Sequence, residues 1–212
     1  MSLRDIARDT VMRCILSAAA LLLLSACSPS SPRLVLDCNA PFTKDASAAS
    51  LAAHFGAANV TDEIIPGPEG SQLRATVIFS KDPARRVEVM FADETGRTGL
   101  LRAAVTQAST QWIGPGGVRM GTGMDAIERT NGKAFSLTGF DWDMSGYTTD
   151  WHDGTFAKQS PGCRVGMRFS PSAAHGMDIL GEGPYKSDFA GMRLAAPKVV
   201  EFSIGYGFEA VK

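Results

Sequence analysis

The sequence predicts an α+β fold in which short helices lie on one face of an antiparallel sheet. Two observations carry this. Only two stretches show helical apolar spacing, each about two turns long and each stopped by a glycine, while period-two alternation fills most of the remaining chain. The 22 glycines and 11 prolines in 212 residues supply the turns that such a sheet needs. Helix followed by strands occurs twice, over 34–113 and again over 114–212, and Asn131-Gly132-Lys133-Ala134-Phe135 sits where Phe55-Gly56-Ala57-Ala58-Asn59 does. The expectation is therefore two tandem helix-then-strands units forming one helix-on-sheet domain.

The first helix is placed over 45–55, where Ala48, Leu51, Ala52 and Phe55 share a face, with Asp45 or Ser47 as its cap and Gly56 as its stop. Leu73, Ala75, Val77 and Phe79 then alternate with polar neighbours, a turn follows at 81–84, and Val87, Val89 and Phe91 alternate again. After an Asp93-Glu94-Thr95-Gly96 turn comes a strand over 100–106. The second helix spans 123–131, with Thr122 and Asp125 spaced as a capping box and Met124 and Ile127 facing inward. Segments 134–140 and 147–152 read as a hairpin. Cys163, Val165, Met167 and Phe169 form one face of a later strand, and 171–197 reads as loop. Val200, Phe202, Ile204, Tyr206 and Phe208 give the cleanest alternation of all.

At the N-terminus, Arg4, Arg8 and Arg13 precede an apolar run over 14–26. As a helix this run would reach roughly 20 Å, short of the ~30 Å hydrocarbon core, so it reads as a signal-peptide core rather than a span. Asp5 and Asp9 are unusual ahead of such a run, and Met12 is an alternative start giving a shorter, more basic leader. The run ends Leu24-Ser25-Ala26-Cys27 and is followed by Ser28-Pro29-Ser30-Ser31-Pro32. This resembles the lipobox of bacterial lipoproteins. The resemblance implies cleavage before Cys27, acylation of that cysteine, and a tether over 27–33. Two or more acyl chains anchor stably where one does not. Ser28 in place of Asp resembles the outer-membrane sorting class, so the expected location is the periplasmic face of the outer membrane.

With Cys14 removed and Cys27 lipidated, Cys38 and Cys163 remain, and an oxidising compartment leaves them one intramolecular pairing. The bridge would close a loop of about 125 residues, worth on the order of 5 kcal/mol in the chain-entropy model.

The helix-stop-sheet pattern is similar to the β-lactamase inhibitory protein fold and to the small lipoprotein of the outer-membrane β-barrel assembly machinery. The stretches Asn131-Gly132-Lys133-Ala134-Phe135 and Gly139-Phe140-Asp141-Trp142-Asp143-Met144-Ser145-Gly146 also resemble a motif of an uncharacterised family of exported bacterial proteins. Neither likeness implies an activity.

Lys plus Arg number 21 against 22 Asp plus Glu, a net charge of −1, which excludes the basic footprint of a nucleic-acid binder. Gly121-Thr122-Gly123-Met124-Asp125-Ala126 matches a dinucleotide fingerprint, but lacks the parallel βαβ context that gives the motif meaning, so no cofactor is expected. Phe140, Trp142, Tyr147 and Trp151 are the densest aromatic set, and with Asp143 they mark 139–151 as a candidate partner-binding surface. Two other readings stay open. Asp141, Asp143 and His152 are candidate acid–base groups of a periplasmic hydrolase, with Asp150, His152 and Asp153 as a related set and Ser145 or Ser160 as nucleophile. Asp141, Asp143, Ser145 and Gly146 open a calcium loop, whose twelfth position is His152 rather than the bidentate Glu.

Overall fold

A computed structural model describes residues 33–207. The expected signal segment, the expected lipidation site Cys27, the expected tether up to residue 32 and Phe208 lie outside the described residues. Helix α1 is Ala48–Phe55, and four strands follow: β1 Val60–Pro66, β2 Gln72–Ile78, β3 Val87–Asp93 and β4 Thr98–Val105. After α2, Met124–Asn131, come β5 Ser136–Leu137, β6 Thr148–Asp150, β7 Cys163–Ser170 and β8 Tyr185–Lys186, then α3 Ala190–Ala195 and β9 Lys198–Tyr206. Six strands make one antiparallel sheet in the order β1-β2-β3-β4-β9-β7, and three short ones make a second in the order β6-β5-β8. The two meet. Tyr147 bridges Arg168 of β7 antiparallel, and the Phe169 amide donates to Gly146 O at 2.9 Å.

One face of the larger sheet carries the core. Val87, Val89, Leu100, Phe202, Ile204, Val165 and Met167 point there and meet Leu51 of α1 and Ile127 of α2. Two aromatic groups anchor it. Phe55 lies 5.7 Å from Phe79 and 6.2 Å from Trp112, with Phe42 5.9 Å from both Phe55 and Trp112. In the second half Trp151 lies 4.8 Å from both Phe135 and Phe156. Each tryptophan donates its indole N–H to a carbonyl, Trp112 to Arg85 O at 2.7 Å and Trp151 to Val165 O at 2.8 Å, so neither leaves a buried donor unmet. A Cys38–Cys163 disulfide ties the segment before α1 to β7. Among the described residues no helix is long and apolar enough to cross a membrane.

Several sequence expectations are corrected. Ser47, not Asp45, caps α1, exchanging bonds with Ser50 in a capping box. Thr122 does not cap α2: its hydroxyl accepts from the Arg119 amide, and the first turn is closed by Met124 N–H donating to Pro197 O at 2.9 Å. Strand β1 escaped the sequence because Thr61-Asp62-Glu63 does not alternate. Its acids are held instead by Arg97 and Arg86. The expected hairpin pairs only over Ser136–Leu137 and Thr148–Asp150. The loop expected over 171–197 contains β8 and α3, both too short to show a period. In β9 the register shifts opposite Arg168 and Phe169, so Val200 is the unpaired extra residue, 40% exposed, while Val199 takes the core position.

Candidate functional site

The segment 138–147 is a hairpin loop whose backbone is satisfied mostly by its own groups. Thr138 donates its hydroxyl to Met144 O at 2.7 Å and accepts from the Tyr147 amide at 3.0 Å. Trp142 donates its indole N–H to Gly139 O at 3.2 Å, and Gly146 N–H donates to Gly139 O at 3.0 Å. Gly146 has φ +74° and is pressed against β7 so closely that a Cβ there would lie 2.0 Å from Phe169 O. Only glycine meets both demands. The loop is thereby seated beside the end of β7.

Between the two lies an open cavity of about 350 Å³, lined by Asp141, Trp142 and Ser145 of the loop, by Arg168, Ser170 and Pro171 at the end of β7, and by Val200. Arg168 is half-buried and held in place: its Nε donates to Ser145 O at 3.1 Å, its Nη2 to Ser145 Oγ at 3.4 Å, and its guanidinium carbon sits 5.2 Å from the Tyr147 ring centroid. The Tyr147 hydroxyl donates to Glu201 Oε2 at 3.2 Å, and Glu201 Oε1 is bonded by Arg102. This network runs across β4, β9 and β7 on the face opposite the helices, as the register places Arg102, Glu201 and Arg168 there. Burial first, then the Glu201 charge, holds the Tyr147 hydroxyl above the usual phenol range.

The candidate residues from the sequence divide. Trp142 is half-buried on the cavity wall and Asp143 is exposed on the loop. Phe140 and Trp151 are corrected: at 1% and 7% exposed they are core side chains, and Phe140 reaches the cavity only as part of its lining. Asp141, Asp143 and His152 are not gathered into one acid–base group. Asp141 Oδ2 lies 3.2 Å from His175 Nε2, whereas the His152 ring sits between Asp150 and Ser136. The oxygens that would open a calcium loop go to opposite kinds of partner, Asp141 to His175 and Ser145 to the Arg168 guanidinium. Among the described residues no three His, Cys, Asp or Glu side chains gather as a metal site.

Four residues went unread as part of a site: Arg168, Glu201, Ser136 and Val200, the last read only as a core-facing strand residue. Glu201 left a trace, as a lone acid inside the most apolar strand. Ser136 left none. Its Oγ lies 2.8 Å from His152 Nε2, while His152 Nδ1 lies 3.2 Å from Asp150 Oδ2 and the His152 amide donates to Asp150 Oδ1 at 2.7 Å. With its proton on Nδ1, His152 accepts from Ser136. His152 and Asp153 both adopt positive φ, +49° and +57°.

Comparison with protein-family models, with curated proteins and with solved structures found no match to this chain.

Proposed function

We propose that this is a lipid-anchored envelope lipoprotein on the periplasmic face of the outer membrane, with a binding or scaffolding role. The anchoring rests on Leu24-Ser25-Ala26-Cys27 and the Ser/Pro tether behind it. The six residue steps from Cys27 to Arg33 span at most about 22 Å, so acylated Cys27 would keep the domain near the bilayer. Binding rests on the open cavity beside the 138–147 loop. Half-buried Trp142 lines it together with exposed Val200, the kind of aromatic anchor with apolar surface that protein partners use, and Met144 is exposed on the same loop. The tandem-unit reading belongs here too. It is supported by two eight-residue helices that both stop at a positive-φ glycine, and by the strand order β1-β2-β3-β4 in the first half beside β5-β6 and β7-β9 in the second, where β8 flanks β5 and the Tyr147–Arg168 bridge links the two sheets.

Two measurements test the proposal. A Cys27→Ser chain should leave the membrane fraction and lose the mass of its acyl chains; continued sedimentation with envelopes at unchanged mass would refute the anchor. A Trp142→Ala chain should still fold cooperatively, with at most a small fall in its unfolding midpoint, yet lose the crosslinked partner captured by the wild type. Unchanged capture would refute the docking site.

A second reading, a hydrolase, is favoured by one observation, the Ser136–His152–Asp150 chain of contacts. Ser136 Oγ would attack an acyl carbon as its proton passes to His152 Nε2, the leaving group would depart carrying that proton back, and water would then hydrolyse the acyl-Ser136, with Asp150 orienting the ring throughout. A fluorophosphonate probe should then label Ser136 in the wild type and not in His152→Ala. An unlabelled wild type removes this reading.

A further inference from the structure

Four arginines are half-buried: Arg86, Arg97, Arg102 and Arg168. The first three each meet a carboxylate, Arg86 that of Glu63 at 2.8 Å, Arg97 that of Asp62 at 2.7 Å, and Arg102 that of Glu201. Arg168 meets none among the described residues. The register places Glu201 directly across from it, but both oxygens of Glu201 are taken, one by Arg102 and one by the Tyr147 hydroxyl. Asp141 lines the same cavity, and its carboxylate is turned to His175. Neutral groups hold the guanidinium instead: Ser145 O, Ser145 Oγ and the Tyr147 ring. These fix its orientation without cancelling its charge, and both N–H groups of Nη1 are left without a partner among the described residues.

The geometry points to Arg168 as the receptor for a carboxylate, supplied by an acidic side chain of a protein partner that also carries an apolar residue beside it. A planar fork already locked in place loses little freedom on pairing with a carboxylate, which matches it two bonds to two. The surroundings set the rest. Trp142, Pro171 and Val200 give the cavity apolar walls, and about 350 Å³ is room for a pair of side chains rather than a large cofactor. A membrane surface is a poorer match, since anionic headgroups are held by clusters of several cations and a single one lines this cavity. This inference rests on the docking reading above and specifies its chemistry.

The test uses the full chain and three probes in calorimetric titrations: the blocked peptide acetyl-Ala-Glu-Leu-Ala-amide, its Gln counterpart, and inorganic phosphate. The Glu peptide should bind at least about tenfold more tightly than the Gln peptide. Two variants should erase that preference. Arg168→Gln removes the charge. Val200→Asp places a carboxylate at the cavity mouth to pair with Arg168 from within, and as the site is exposed its unfolding midpoint should stay at the wild-type value. Equal binding of the two peptides, or a preference surviving in both variants, overturns the inference. Phosphate binding as tightly as the Glu peptide overturns the protein occupant. A photo-crosslinker at position 144 separates the two levels. Capture of the same partner by wild type and Arg168→Gln leaves docking standing and refutes the carboxylate. If the crosslinker captures nothing, docking fails, while the titrations still judge Arg168.

Discussion

The two halves of the molecule reach the same kind of packing by different means. In the first, strands of seven and eight residues pair with their sequence neighbours, and α1 closes its own N-terminus through Ser47 and Ser50. In the second, β5, β6 and β8 are two or three residues long, and side chains do what ladders do elsewhere. Thr138 holds the loop. Asn131, 2% exposed, donates to the carbonyls of Lys133 and Trp151 and accepts from the Phe156 amide. The cavity, the charge network and the Ser136–His152 contact all involve this second half. A regular ladder spends its polar groups on itself, whereas short strands joined by long loops leave polar groups and space to be placed.

The largest test of this comparison removes one aromatic anchor from each half. Trp112→Ala and Trp151→Ala should each cost about 3–5 kcal/mol, because each deletes a large buried side chain and leaves a carbonyl unmet. Denaturant unfolding checks it, and the equivalence of the halves breaks if one costs less than half the other.

Next come the two arginines of the open face. Arg102→Gln should cost about 2 kcal/mol, since it leaves Glu201, whose side chain is 9% exposed, without its cation. Arg168→Gln should cost less than about 1 kcal/mol, since no carboxylate depends on it. Equal losses would mean that Arg168 is part of the structural network rather than a receptor.

A smaller effect is read in alkali. Tyr147 keeps its proton to higher pH when folded than when unfolded, where its value is the ordinary 10.0. The stability it contributes is complete below about pH 10 and is lost as pH rises through its folded value. Tyr206 is raised as well, by burial first and then by Asp37. Tyr147→Phe should flatten, without abolishing, the fall in unfolding midpoint above pH 10; an unchanged slope would place the alkaline response elsewhere.

The smallest sharpens the contrast between helices. Ser47→Ala should cost about 1 kcal/mol, and Thr122→Ala no more than half of that, because α2 is closed by Pro197 O rather than by a side chain. Thermal melts of the two variants resolve the difference.

These contrasts track what could be read in advance. Both helices, their glycine stops and the alternating strands β2, β3, β4 and β7 were legible, since each buries one face and the period shows it. The Cys38–Cys163 pairing was legible by elimination. The site was half legible. Trp142 lines the cavity and Asp143 is exposed on the same loop, but Phe140 and Trp151 looked the same in sequence and went to the core, because an aromatic residue has no local mark of which side of a short strand will be covered.

Amino-acid pattern alone determined the class of fold, the glycine stops of α1 and α2 and the apolar faces of β2, β3 and β7, all set by contacts within a few residues. Tertiary structure alone decided that Val200 is expelled at a bulge while Val199 is buried. It also decided that Glu201 belongs to Arg102 and that Arg168 keeps its charge unanswered. Those outcomes depend on which of several distant partners reaches a group first, and competition of that kind leaves no periodicity along the chain.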